Sequence, residues 1–289
     1  MVNEKFSLNN LGTRVKNVRL DTRIHIIALT TLKQLLNNKR FYIVSVFYAL
    51  PVLANVLGYA LGFQPFKTGK AIAVYNVHLA LNSAMNEWWL SIFGQMFIVL
   101  LASDLISNEF DKGTILSLKS RSISDFDIFF GKLAGISCIV LLLIFPGALL
   151  IYVTQIFVFA GEDNFWWVFW HSLDELLVAC LIIFLGILLL LAICLFFSTI
   201  FNRTLQATIV ALIAIFSVQF ISTIFSFGNS VIGKLNITYY LNLFLDPIFY
   251  NIKISESADP ILWSLLGFVG VIVLILASGF IIMKEKEIH

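Results

Sequence analysis

Residues 176–201 read LLVACLIIFLGILLLLAICLFFSTIF, an apolar run without a single charged side chain. As an α-helix it rises about 39 Å, more than the ~30 Å of hydrocarbon in a bilayer. Leucine and isoleucine fall on every face, so no side of it is built to meet water. In lipid each backbone amide needs an internal partner, and a helix supplies one. Working outward, five more runs have the same character: Phe41–Phe63, Trp88–Ala102 with an extension to Ile106, Leu133–Phe159, Leu205–Phe227 and Ile261–Met283. The expected fold is an all-α integral membrane protein with six transmembrane helices. Apolar runs follow one another along the chain, so one membrane domain is expected over residues 1–289. Residues 1–40 form its N-terminal region and residues 41–283 its six-span bundle.

Composition agrees. Of 289 residues 60% are hydrophobic and only 12% charged, with a mean hydropathy of +0.94. A soluble domain carries about 25% charged residues, and half of that cannot cover a water-exposed globule. The formal net charge of +2 gives no sign of a nucleic-acid partner. Cys138, Cys180 and Cys194 all lie in apolar runs without a Cys-x-x-Cys pair, so they read as small apolar residues rather than a disulfide framework. The first 40 residues lack an apolar core followed by a small-residue cleavage site, so the first apolar run is expected to be retained.

Orientation follows from lysine and arginine. With the N-terminus inside, 15 basic residues fall on the cytoplasmic side, from Lys5 to Arg40 and again at Lys112, Lys119, Arg121, Lys132, Arg203, Lys284 and Lys286. Only Lys67, Lys70, Lys234 and Lys253 fall outside. Both termini are therefore expected in the cytoplasm, in a multi-pass protein of the plasma (cytoplasmic) membrane. Trp88, Trp89, Trp166, Trp167, Trp170 and Trp263 all lie near the expected outer starts of spans two, four and six, where tryptophan favours the headgroup layer. Leu20–Lys39 is amphipathic, with Leu20, Ile24, Ile27, Ala28 and Leu35 near one face. It reads as an interfacial helix or as a short solvated helix before the first span. Gly228–Pro260 is long and semi-apolar, and its aromatic residues suggest short outer helices. It includes the sequon Asn236-Ile237-Thr238.

The expected span centres contain no ionisable residue. His25, His78, His171 and His289 lie outside them, so no proton or sodium relay and no arginine ladder is visible. Polar side chains such as Gln95, Gln206, Gln219, Ser222 and Thr223 ordinarily bond helix to helix, and lining a path is the sharper alternative. No Gly-x-x-x-x-Gly-Lys-[Ser/Thr] loop is present: Gly69-Lys70 is followed by Ala71. A pump built on this chain would need ATP hydrolysis from another subunit.

The most informative connection is Ser103–Lys132, between spans two and three. Gly113 permits a sharp bend, and Thr114–Lys119 could form a short helix across the cytoplasmic end. Glu109-x-x-x-Gly113-Thr114, then Ile123-Ser124 and Gly131-Lys132, resembles the ABC-2 type permeases. Asp104-x-Ile106-Ser107, Leu32-Lys33-Gln34-Leu35-Leu36 with Lys39-Arg40, and Ser198-x-x-Phe201-x-Arg203-x-x-x-Ala207 fit as well. The usual proline of the family falls on Ser122 and its usual arginine on Asp125. The resemblance implies an exporter of two permease subunits, identical or homologous, and two ABC ATPase subunits that bind ATP and Mg, with no cofactor in this chain. It implies an ATPase-coupling loop of Glu109, Lys112, Gly113, Thr114, Leu116, Lys119, Arg121, Asp125 and Lys132, in which Glu109 anchors the loop. It also implies a path at the permease dimer interface lined by spans two and five, with Phe93, Phe97, Phe216, Gln219, Phe220 and Thr223 along it. A span set without charges suits an amphiphile, lipid-linked molecule or peptide. Two other readings remain open: a membrane scaffold or sensor that holds an ATPase without transport, and a membrane enzyme built on Glu162, Asp163, Asp174 and Glu175.

Overall fold

The structure is a computed structural model that describes residues 23–61, 69–115, 123–225, 243–245 and 258–286. The expected outer helices around Tyr239 and Phe249, the sequon and most of the Thr114–Lys119 helix lie outside these residues. The described elements are helices: α1 (residues 23–36), α2 (Lys39–Ala60), α3 (Lys70–Ser83), a π-helical turn (Ala84–Trp89), α4 (Ile92–Ala102), α5 (Ser107–Asp111), α6 (Asp125–His171), α7 (Leu173–Ile200), α8 (Thr204–Phe225) and α9 (Ala258–Glu285). Six helical stretches are long and apolar enough to cross a membrane, as expected.

Contacts between their ends show that the spans alternate in direction. Arg40 at the start of α2 meets Asp104 just after α4, and Lys132 in α6 meets Glu109 in α5. Lys286, just past α9, donates to the carbonyls of Thr199 and Ile200 that close α7. All six spans thus have one end in the same basic layer, called here the basic end. The opposite end carries Trp166, Trp170 and Trp263, each exposed. Span four (α7) is the axis of the bundle: α8 and α9 pack chiefly on it, and α4 and α6 also contact it.

Span two differs from the expectation. It does not begin at Trp88. It is a broken helix that enters at Lys70, runs through α3 and the π turn, breaks at Leu90-Ser91 and continues as α4. Trp89 is fully buried deep in the bundle rather than at a headgroup layer. Its indole Nε1 donates to the Tyr48 carbonyl in mid-α2, and a Cβ on Gly147 in α6 would meet its ring at 3.1 Å. Three carbonyls at the break find partners: Trp88 accepts from Ser91 Oγ, Trp89 from Tyr48 OH and Leu90 from the Gln95 amide. A break within a span needs such compensation. Gly94 is required there, because a Cβ would stand 2.2 Å from the Trp89 carbonyl oxygen. Sequence patterning missed the upper half because Asn82, Asn86 and Glu87 interrupt its apolar run.

Span three also runs further than expected, and its final stretch is not an open loop. Gly161 (φ 66°, ψ −177°) breaks α6. That backbone region is essentially reserved for glycine. The segment after it folds back, so that Tyr152 OH donates to the Phe169 carbonyl at 2.6 Å and the Phe165 ring packs, tilted, on Phe157. His78, expected outside the spans, is 4% exposed and paired with Glu175 at 2.6 Å.

The amphipathic N-terminal segment is helical over residues 23–36, and its apolar face seats on protein. Gly131 and Gly135 in α6 form the seat: a Cβ at either would collide with Ile27 or with Ala28 and Thr31. Small residues four apart let two helices approach closely. Ile26 and Leu29 on the other side stay exposed.

Candidate functional site

The residues quoted from the loop between spans two and three converge at the basic end. Helix α5 is a single turn, and the N–H groups at its very start need an acceptor from outside it. Ser198 supplies one from span four: its Oγ accepts from Ile106 N at 2.9 Å and Ser107 N at 2.8 Å. Thr204 at the start of α8 donates to Asp111, and Ser103 shares a hydrogen bond of 2.8 Å with Thr208. The short helix is therefore fixed to spans four and five rather than hanging between spans two and three.

Glu109 is the centre of a second set. Its Oε1 accepts from Lys132 Nζ at 3.0 Å and its Oε2 from the Thr114 hydroxyl. Lys132 also donates to the Leu105 carbonyl. The lysine is buried and the carboxylate nearly so, so each charge needs the other. Between them the chain turns at Gly113 with φ 67°, the bend its sequence predicts. Arg40 binds both Asp104 and the Leu100 carbonyl. Lys286 lies 4.2 Å from the Phe110 ring while it caps α7, and burial holds its amine below the ordinary lysine range. Asn37, Asn38, Asp104, Glu109, Lys112 and Lys132 line part of an open cavity of about 550 Å³ between the α1–α2 turn and this loop.

Among the expected coupling residues, Glu109, Gly113, Thr114 and Lys132 form one unit, and exposed Lys112 stands at its rim. Asp125 does not belong to a loop. It opens α6 one residue after Ser124, which caps the helix reciprocally with Asp127. Ser-x-x-Asp before an apolar run carries that signal in the sequence. Leu116, Lys119 and Arg121 lie outside the described residues. Sequence reading missed the capping role of Ser198, although its motif was quoted, and missed Lys286, which has no local signature.

The expected path residues separate. Phe93 and Phe220 are exposed at 62% and 65%. Phe97 packs on Phe47 of span one with ring centroids 4.4 Å apart. Gln219 lines an apolar cavity of about 350 Å³ with Gln95, Phe196 and Ser278. Phe216 is at the edge of exposure, and the Thr223 side chain lies outside the description.

The profile of the ABC-2 family transporter proteins matches residues 25–287, nearly the whole chain. This chain belongs to the ABC-2 transporter family. It is a membrane-spanning permease component of an ABC transporter, a transport component rather than a catalytic one, and its partner is an ABC ATPase subunit. No curated protein matches it closely enough to serve as a relative. Within this ABC-2 permease the quoted family motifs are neighbours in space as well as in order: Arg40 with Asp104, Ser198 with Ile106-Ser107, and Glu109 with Thr114 and Lys132.

Proposed function

We propose that this ABC-2 permease is the membrane half of an ATP-driven exporter of the plasma membrane, with both termini in the cytoplasm. Two copies, or one copy with a homologue, pair with two ATPase subunits that carry ATP and Mg. The loop from Asp104 to Lys132 receives the ATPase stroke. The observation that supports this most is the fixation of α5. Ser198 and Thr204 bind it to spans four and five, while the Glu109–Lys132 pair ties it to span three. A push on the loop would then move spans four and five as well as the two it joins. Lys112, at the cavity rim, is proposed to meet an acidic group on the ATPase, and so are Lys119 and Arg121. The substrate is proposed to be an amphiphile, lipid-linked molecule or peptide.

The test begins with the tagged chain purified from its own membrane in mild detergent. An ABC ATPase is expected at near one-to-one stoichiometry. Glu109→Lys, which places two cations side by side, is expected to abolish transport-linked ATP turnover while membrane insertion persists. Normal turnover in that variant would overturn the coupling role, and a preparation without ATPase would overturn the exporter reading.

A further inference from the structure

The broken span two brings a carboxylate to a depth where the apolar sequence pattern had placed none. On span four, Ser198 meets Ile106 and Glu175 meets His78, and these levels are about 35 Å apart along the helix. Glu87 lies nine residues on from His78, roughly 13 Å toward the basic end if the turn is treated as regular helix. Its neighbour Trp89 donates to mid-α2 and abuts mid-α6. All three references put Glu87 well in from the tryptophan-rich end of the bundle, at a depth that a hydrocarbon layer of ~30 Å would cover.

Glu87 is also on the outward face. It is exposed, while Ala73, Val77, Leu81 and Ala84 of the same broken span are buried against the bundle. Leu79, Trp88 and Phe93 of the same broken span are also exposed, and all three are apolar. One mild polar partner is present: Ser83 Oγ donates to Glu87 Oε2 at 2.8 Å. A carboxylate facing hydrocarbon is costly, and such residues mark paths and binding sites.

The described residues offer no basic side chain at this level. Lys70 lies over Trp167 at the tryptophan-rich end, and Arg40, Lys132, Lys284 and Lys286 lie at the basic end. On this face a cationic group on the molecule handled would supply the compensating charge.

We propose that Glu87 recognises a positively charged nitrogen on the permease's ligand, which makes that ligand a cationic amphiphile. The aromatic faces of Trp88 and Phe93 suit such a group better than a hydrated metal ion. This rests on the permease reading above, which left the substrate's charge open.

The experiment uses the full complex in phosphatidylcholine nanodiscs and the fluorescent cation rhodamine 6G, read by anisotropy. Saturable binding is expected, displaced by dodecyltrimethylammonium and not by dodecyl sulfate. The isosteric Glu87→Gln, checked by elution volume, is expected to weaken binding by at least about tenfold. Glu87→Asp should lose less, and Glu162→Gln on the folded-back helix should lose nothing. Unchanged binding in Glu87→Gln, or no saturable binding to the parent chain, overturns the inference. The ATPase content of the same preparation is scored separately. Glu87-dependent binding without an ATPase would uphold the cation site and defeat the exporter reading.

Discussion

Individual side chains hold the basic end together, and their loss has calculable consequences. Ser198 satisfies two backbone donors at once, so Ser198→Ala is expected to cost about 1–2 kcal/mol. The check is a lower melting midpoint of the detergent-solubilised protein, together with faster proteolysis near Asp111. The Glu109–Lys132 pair behaves differently. Lys132→Met alone strands a shielded carboxylate and should cost about 3 kcal/mol. Combining it with Glu109→Gln should recover most of that loss in the same melting assay, and a double variant no better than the single one would show that the pair is not coupled. Gly113 was legible in the sequence because a sharp bend leaves a local signature, and Glu109 because the motif it opens resembles that of the family. Lys286 and Ser198 were not, because each acts on a backbone segment far away in the chain.

At the scale of elements, two glycine positions decide how helices meet. Gly131 and Gly135 leave the room in which α1 lies on α6. Gly135→Leu is expected to lift α1 from its seat. A cysteine at Thr31, buried in the parent, should then react quickly with a water-soluble maleimide; slow labelling in both backgrounds would count against the seat. Gly161 holds a backbone shape closed to other residues, so Gly161→Ala is expected to cost about 1–3 kcal/mol and to loosen the folded-back helix. Five of the six spans were readable as unbroken apolar runs. Span two was not, because polar residues that bond one another interrupt its upper half and contacts from other spans hold its break. Tyr48 of span one donates to the Trp89 carbonyl, and Gly147 of span three leaves room for the Trp89 ring. No window along one helix contains that information. The tryptophan pattern misled for the same reason: Trp89 has found a buried acceptor for its indole, so a headgroup layer is not what it needs.

For the molecule as a whole, the alternating spans place every strong basic cluster of the described residues at one end. The orientation that follows is testable without a substrate. In a background with Cys138, Cys180 and Cys194 replaced by alanine or serine, Lys70→Cys should react with an impermeant maleimide on intact cells. Asn37→Cys should react only after the membrane is opened. The reverse pattern would invert the proposed topology. The sequence indicated this arrangement through the distribution of lysine and arginine. It could not indicate that span four is the axis, because α7 is apolar on all faces and gives no hint of which faces are occupied.

The seat of α1 also has a consequence in time. Residues 23–36 leave the ribosome roughly a hundred residues before Gly135, which at ~5–20 residues per second is a delay of about 5–20 s. During that interval Ile24, Ile27 and Leu35 have no protein surface to cover them. The bilayer surface is the nearest apolar refuge, so the first helix made is among the last to reach its place. A slowed or stalled ribosome within span three would therefore leave a chain that is anchored but lacks its N-terminal brace.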